Sequence, residues 1–270
     1  MIFDDRQCIL GEGPLWHPTR KQLFWFDIKG KRLLTSQQEW QFSEHVSAAG
    51  WLTKDRLLIA SETKLFSFNL ETGEQRKVAD LEADNTITRS NDGRADPWGG
   101  FWIGTMGKQA EPQAGAIYRF YKGQLNQIRS GITISNAICF SPDKACAFYT
   151  DTPTKLIMRQ ALDTDGWPKG TAEVFVDLTA DGLAPDGAVV DRDGNLWNAQ
   201  WGASRIAVYD QNGAFQHAFD LPASQITCPA LGPDGLYATS ASEGVNEPDG
   251  GKTFFIPLPV RGQTEHQVIL

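Results

Sequence analysis

The sequence predicts an all-β fold, a six-bladed β-propeller whose four-stranded blades surround a central channel. Two observations carry that prediction. Turn formers punctuate short strand-like segments along the whole chain, with 26 Gly and 14 Pro among 270 residues, and a single unit recurs six times at about 40 to 45 residues.

The unit is a turn, a short apolar strand, a second turn and an alternating strand. Its centres, in chain order, are Leu23-Phe24-Trp25-Phe26-Asp27, Arg56-Leu57-Leu58-Ile59-Ala60, Gly100-Phe101-Trp102-Ile103-Gly104, Ala145-Cys146-Ala147-Phe148-Tyr149-Thr150, Gly194-Asn195-Leu196-Trp197-Asn198-Ala199 and Asp234-Gly235-Leu236-Tyr237-Ala238-Thr239. Turn clusters precede several centres: Ser141-Pro142-Asp143, Asp191-Arg192-Asp193-Gly194 and Gly232-Pro233-Asp234-Gly235. Between centres, Lys64–Leu70 places Phe66, Phe68 and Leu70 on one strand face, and Ala116–Phe120 and Arg205–Asp210 read as further short strands. A β-sandwich also has short strands and regular turns. Six units at a near-constant period favour a ring, in which each small sheet buries its faces against two neighbours. No linker interrupts the pattern, so residues 1–270 are expected to form one domain.

Charge and composition narrow the function. Lys and Arg number 25 against 33 Asp and Glu, a formal net charge of −8. Nucleic-acid binding needs a basic face, so this balance points to small molecules or cations instead. The N-terminus lacks a basic stretch followed by an apolar core, and no apolar run reaches the ~20 residues of a membrane span. Neither a membrane nor a nucleic acid is expected as partner, and a cytoplasmic location is. Cys8, Cys139, Cys146 and Cys228 are scattered without a Cys-x-x-Cys pair, and read as buried free thiols.

Chemistry should appear as polar residues interrupting inner-strand segments. Four segments qualify: Leu10-Gly-Glu-Gly-Pro-Leu-Trp16, Arg89-Ser-Asn-Asp-Gly93, Ile132–Phe140 with Asn136 inside an apolar run, and Ala184-Pro-Asp-Gly-Ala-Val-Val190. Singly, each has an ordinary reading as a turn or a satisfied strand amide. Together they are periodic: Glu12, Asn91, Asn136 and Asp186 precede Leu23, Trp102, Phe148 and Trp197 by 11 or 12 positions. Equivalent positions in a ring converge on its axis. Two carboxylates with one or two amide oxygens make a hard-oxygen site suited to Ca²⁺, Mg²⁺ or Mn²⁺. The histidines His17, His45, His217 and His266 do not cluster; His45, just ahead of the second inner strand, is the one expected to face the channel. Most tryptophans read as packing between blades, with Trp16 and Trp201 as candidates for the site wall.

These same segments resemble the SMP-30/gluconolactonase/regucalcin family. Leu10-Gly-Glu-Gly-Pro14, Arg89-Ser-Asn-Asp-Gly93, Ile134-Ser-Asn136 with Phe140-Ser-Pro-Asp143, Pro185-Asp-Gly187 with Gly194-Asn-Leu-Trp197, Gly104-Thr-Met106 and Thr239-Ser-Ala241 carry the likeness, which runs from about residue 8 to about 257. The resemblance implies a six-bladed propeller with one divalent metal in the channel and hydrolysis of sugar lactones. It implies Glu12, Asn136 and Asp186 as metal ligands, Arg89 and Asn91 as substrate contacts, and Asp186 as general base. Asn91 is placed near enough to touch the ion. Ca²⁺ is the first expectation for it, with Zn²⁺, Mn²⁺, Mg²⁺ or Fe²⁺ as alternatives. Two departures stand out. Ala137 follows Asn136 where family members often have Gly, and Lys108-Gln109 stands near where some members carry a substrate-binding Glu. The expected partner is a small sugar lactone, and the expected assembly a monomer or weak homodimer. Competing readings are an organophosphate or aryl-ester hydrolase on a related calcium propeller, and a non-catalytic calcium-binding propeller.

Overall fold

The computed structural model describes residues 1–270. Alternating apolar residues and frequent turns fold the chain into 24 strands and one short 3₁₀ turn at Thr152–Thr154. After β1 (Ile2–Asp4), five sheets form from four consecutive strands each. Blade 1 is β2 to β5 (Gly11–His17, Gln22–Asp27, Arg32–Leu34, Glu39–Gln41), and blade 2 is β6 to β9 (Val46–Thr53, Arg56–Ser61, Lys64–Asn69, Gln75–Asp80). Blade 3 is β10 to β13 (Thr88–Ala95, Phe101–Gly107, Gly115–Tyr121, Gln124–Ile132), and blade 4 is β14 to β17 (Ser135–Phe140, Cys146–Asp151, Leu156–Ala161, Glu173–Asp177). Blade 5 is β18 to β21 (Ala184–Val190, Leu196–Trp201, Arg205–Tyr209, Phe215–Asp220). Blade 6 joins β22 to β24 (Ile226–Gly232, Gly235–Ser240, Thr253–Pro257) to β1, so both ends of the chain build it.

The expected six-bladed propeller is therefore present, and each recurring apolar centre is the second strand of a blade. The spacing tightens in blade 1, whose β4 and β5 are only three residues long. Burial falls from the axis outward: β14 and β22 are buried throughout, whereas the outermost β9 and β21 are largely exposed. Six apolar clusters fill the six gaps between neighbouring blades. Phe24, Phe26, Leu57 and Phe66 join blades 1 and 2, while Leu23, Trp25, Ala230 and Tyr237 join blades 1 and 6. No blade can bury its faces alone, which is why the unit repeats until the ring closes.

Every inner strand carries a β-bulge near its channel-mouth end. The pairing with the second strand slips between Glu12 and Leu15, Val46 and Ala48, Ser90 and Gly93, Asn136 and Cys139, Pro185 and Ala188, and Ile226 and Pro229. A bulge releases side chains from strict alternation and re-aims them. It is the device that turns otherwise buried strands toward the axis.

The far end of the channel is crossed by the segment after β24. Gln263 Nε2 donates to Phe140 O and Val190 O (both 2.9 Å), capping the last carbonyls of β14 and β18. Trp51 Nε1 donates to Glu265 O (2.8 Å), and the Glu265 carboxylate pairs with the partly buried Arg94. Val268 packs where a side chain on Gly50 would stand: a Cβ there would lie 2.5 Å from Val268. No helix is long and apolar enough to cross a membrane. All four cysteines are free; Cys8, Cys139 and Cys228 are buried as expected, but Cys146, at the start of β15, is only partly covered.

Candidate active site

Glu12, Arg89, Asn91, Asn136 and Asp186 come together at the mouth end of the inner strands, each only 3–5% exposed. The local sequence explains how they reach the axis. Gly13 adopts φ +53°, and a Cβ there would sit 2.3 Å from Ser47 O of the next blade, so only glycine lets β6 approach beside Glu12. Gly187 follows Asp186 for a similar reason, since a Cβ would meet Cys228 Sγ at 2.4 Å. Ala137 takes φ +57°, the left-handed conformation that the departure from glycine requires of it.

The four polar positions are not strictly equivalent, contrary to the periodic reading. Glu12 and Asn136 are the last paired residues before their bulges, opposite Phe26 and Thr150, whereas Asn91 and Asp186 lie inside theirs. The left-handed residues Gly13 and Ala137 offset the one-residue difference, so both kinds of bulge aim inward. Asp92 is also buried here and is not part of a turn: its Oδ2 accepts the Ile138 amide at 2.6 Å, tying β10 to the bulge of β14.

A hydrogen-bond chain positions the amides. Arg89 Nη1 donates to Ser90 O (2.9 Å) and to Asn91 Oδ1 (2.7 Å). Asn91 Nδ2 donates to Ser135 O (2.9 Å) and Asn136 Oδ1 (3.0 Å). Asn136 Nδ2 donates to Thr152 Oγ1 (2.9 Å), which in turn donates to Pro185 O (2.8 Å), one residue before Asp186. Asn91 thus bridges Arg89 to Asn136, with its amide oxygen turned to Arg89. Thr152 was missed in the sequence because it lies in a connection, outside any motif; only its contact with Asn136 marks it.

The carboxylates are electrostatically unsettled. Burial, and then the charge of Asp92, push Glu12 up to about 8, against the Gly13 amide that donates to its Oε2 (3.0 Å). Asp186 is raised well above the usual carboxylate range by burial and by Glu12 and Asp92, and its carboxyl lies within hydrogen-bonding reach of Glu12. Asp92 is pushed up to about 6 by burial. Arg89 is lowered to about 10 by burial, with Glu12 among the charges that oppose this. Neither Glu12 nor Asp186 has a Lys or Arg in a salt bridge. Two buried carboxyls beside amide oxygens, short of positive charge, are a donor set that a hard divalent cation fits. The chain holds no group of three or more His, Cys, Asp and Glu placed for a metal, so amide oxygen would have to complete the set.

Around the mouth, His45 Nδ1 bonds Glu62 Oε2 (2.7 Å), and Lys108 pairs with the other oxygen of Glu62. Of the other histidines, His17 packs between Phe24 and Trp51 with its Nε2 on Thr53 O (3.2 Å), and His217 lies beside Trp197 and Phe219. Trp201 is half-buried against Leu10 and Ala241's cluster, on the mouth side. Trp16 instead stacks on Tyr237 (5.5 Å) between blades 1 and 6, away from the site.

Comparison with known proteins agrees with this architecture. Residues 10–242 match the family model described as SMP-30/Gluconolactonase/LRE-like region. An L-arabinolactonase of Azospirillum brasilense is 34% identical, covering 91% of this chain and 85% of its own. A 6-deoxy-6-sulfogluconolactonase of Pseudomonas putida is 30% identical over 87% of this chain and 84% of its own. Among solved structures, the calcium-binding protein regucalcin of Agrobacterium tumefaciens superposes with a TM-score of 0.96 at 37% identity, covering 100% of this chain and 97% of that one.

Proposed function

Since the chain belongs to the SMP-30/gluconolactonase/LRE-like family, we propose that it is a divalent-metal-dependent lactonase that opens a sugar lactone to the aldonic acid. The observation that carries this reading is the buried Glu12–Asp186 pair, flanked by Asn136 and facing Arg89, at one end of the channel. Glu12, Asn136 and Asp186 would hold the ion, with Ca²⁺ the first candidate. Bound there, a divalent cation supplies polarisation of the lactone carbonyl and stabilisation of the developing oxyanion.

The chain's own groups do the rest. Asp186 takes a proton from the attacking water as general base. The same proton is then available to the ring oxygen as the C–O bond breaks, so water is added and nothing else is consumed. Arg89 uses one nitrogen, Nη1, on Ser90 O and Asn91, which leaves its other N–H groups for the substrate's oxygens. Asn91 holds Asn136 in orientation by donating from Nδ2 to Asn136 Oδ1. Thr152 does so from the other side, the second layer that fixes a ligand's geometry. The relatives' names cover both an uncharged and a sulfonated sugar lactone, so family membership leaves the charge of the substrate open.

The test is hydrolysis of an aldonolactone panel by chelator-stripped protein, with Ca²⁺, Zn²⁺, Mn²⁺, Mg²⁺ or Fe²⁺ restored in turn. Turnover should return with metal, and Asp186→Ala should lose both metal binding and at least about a hundredfold in kcat, the scale of a general base. Wild-type turnover in that variant, or turnover in the stripped enzyme, would sink the assignment. Metal binding without any turnover would favour the non-catalytic propeller.

A further inference from the structure

Glu62 follows β7 at the channel mouth, and no step above uses it. Its Oε2 accepts the His45 amide (3.0 Å) and His45 Nδ1 (2.7 Å), while its Oε1 pairs with Lys108. Lys108 lies just beyond β11 and is fixed twice more. Its amide donates to Ile87 O (2.8 Å) and its Nζ to Thr86 O (3.0 Å). Two residues earlier, Met106 is the pairing partner of Arg89. His45 immediately precedes β6, whose Ser47 donates to Ser90 (2.7 Å). The triad therefore forms a wall beside Arg89, whose charge acts on both His45 and Glu62.

This wall is partly exposed: the side chains of His45, Glu62 and Lys108 are 22%, 14% and 31% exposed. Burial opposes ionisation of Glu62, but Lys108 and the His45 N–H groups outweigh it and hold the carboxyl down to about 2. Burial lowers His45, which stays neutral and donates from Nδ1. With Nδ1 donating to Glu62, Nε2 is left as the acceptor nitrogen. The positive charge of Lys108 is cancelled by Glu62 at contact distance. The triad thus offers hydrogen-bonding groups whose Lys108 and Glu62 charges cancel.

Resting on the lactonase reading, we infer that Glu62 is a specificity-determining residue: by holding Lys108 and His45 it selects lactones with an uncharged polyhydroxy tail over those ending in an anionic group. Were Lys108 free, its ammonium would attract a carboxylate, sulfonate or phosphate at that end. With Glu62 in place that ammonium is neutralised, and an anionic tail gains no counter-charge from Lys108 to offset its desolvation.

The experiment compares D-glucono-1,4-lactone with D-glucaro-1,4-lactone, which share a ring and differ in a terminal hydroxymethyl or carboxylate. Hydrolysis is followed by pH-stat in metal-loaded protein. Wild type should prefer the neutral lactone in kcat/KM by about tenfold or more, and Glu62→Gln should narrow that preference by about tenfold, chiefly through KM of the anionic substrate. Adding Lys108→Met to Glu62→Gln should restore the wild-type ratio, because the freed ammonium is gone. Lys108→Met alone leaves Glu62 unpaired and should widen the preference by about threefold. An unchanged ratio in Glu62→Gln with active enzyme, or a narrowed ratio in Lys108→Met, overturns the inference while the lactonase reading stands. Wild type that hydrolyses neither lactone with any metal overturns both.

Discussion

In the metal-free fold, burial together and beside Asp92 raises the proton affinity of Glu12 and Asp186 above that of isolated carboxyls. This has a consequence for stability whose sign is fixed by linkage. In the unfolded chain Glu12 titrates near its ordinary 4.5; in the fold it does so near 8. The folded state therefore binds more protons between those values, and stability falls as pH rises from about 4.5 to 8 and levels off beyond. For metal-stripped protein, the urea midpoint should be lower at pH 8 than at pH 5. Saturating Ca²⁺ should remove most of the difference, because the ion replaces the proton as the counter-charge. Equal midpoints at both pH values without metal would show that the pair is not strained by its own charge. Arg89, Asn91, Asn136 and Thr152 act at the same scale by a different means, each spending its hydrogen-bonding groups on holding the next.

The inner strand with its bulge is the functional element. A regular strand would send Glu12 and Gly13, or Asp186 and Gly187, to opposite faces; the slip in pairing lets a buried strand present a polar group to the axis. The two designs differ in backbone. β2 and β14 use a left-handed residue after the polar one, glycine in the first and alanine in the second. Alanine in that conformation costs about 1–2 kcal/mol. Ala137→Gly should accordingly raise stability by roughly 0.5–1 kcal/mol, net of the extra freedom glycine gains in the unfolded chain. Ala137→Val should lower it by about 2 kcal/mol, since a β-branched residue resists positive φ still more. Denaturant midpoints check both; a glycine variant less stable than wild type would mean that the Ala137 methyl packs more favourably than its backbone is strained.

For the whole molecule, closure decides. Blade 6 borrows β1, pairing Ile2 with Phe254 and Asp4 with Thr253, and Phe3 packs edge-on against Trp25 and Tyr237 at 6.1 and 5.0 Å. Removing residues 1–5 would leave β24 as an open edge and uncover part of the gap between blades 1 and 6. We expect Tm to fall by roughly 5–10 °C and light scattering to rise with protein concentration, as an unprotected edge pairs between molecules. The loss should appear as one cooperative transition if the ring folds as a single domain. An unchanged Tm would show that the ring is held by its other 23 strands without β1. On the opposite end of the channel, Gln263, Glu265 and Val268 tie the lower ends of several inner strands together, away from the polar mouth.

Blade number, the second strand of each blade and the polar interruptions at Glu12, Asn91, Asn136 and Asp186 were legible in the sequence, because periodicity and turn chemistry are local properties. The motif glycines were legible too, although the reason for them was not: Gly13 and Gly187 yield to backbone and side chains of the next blade, which lie tens of residues away in the chain. What only the tertiary structure decided was every relation between blades. Asp92 read as half of a turn and proved to be a buried carboxylate bracing β14, and Thr152 gave no signal at all. Trp16 and Trp201 looked alike, and packing sent one between blades and the other toward the mouth. The His45–Glu62–Lys108 wall joins three connections separated by 17 to 63 positions in sequence. Contacts of that kind are set by ring closure, which brings the starts of six inner strands to one axis, and no stretch of the chain encodes them by itself.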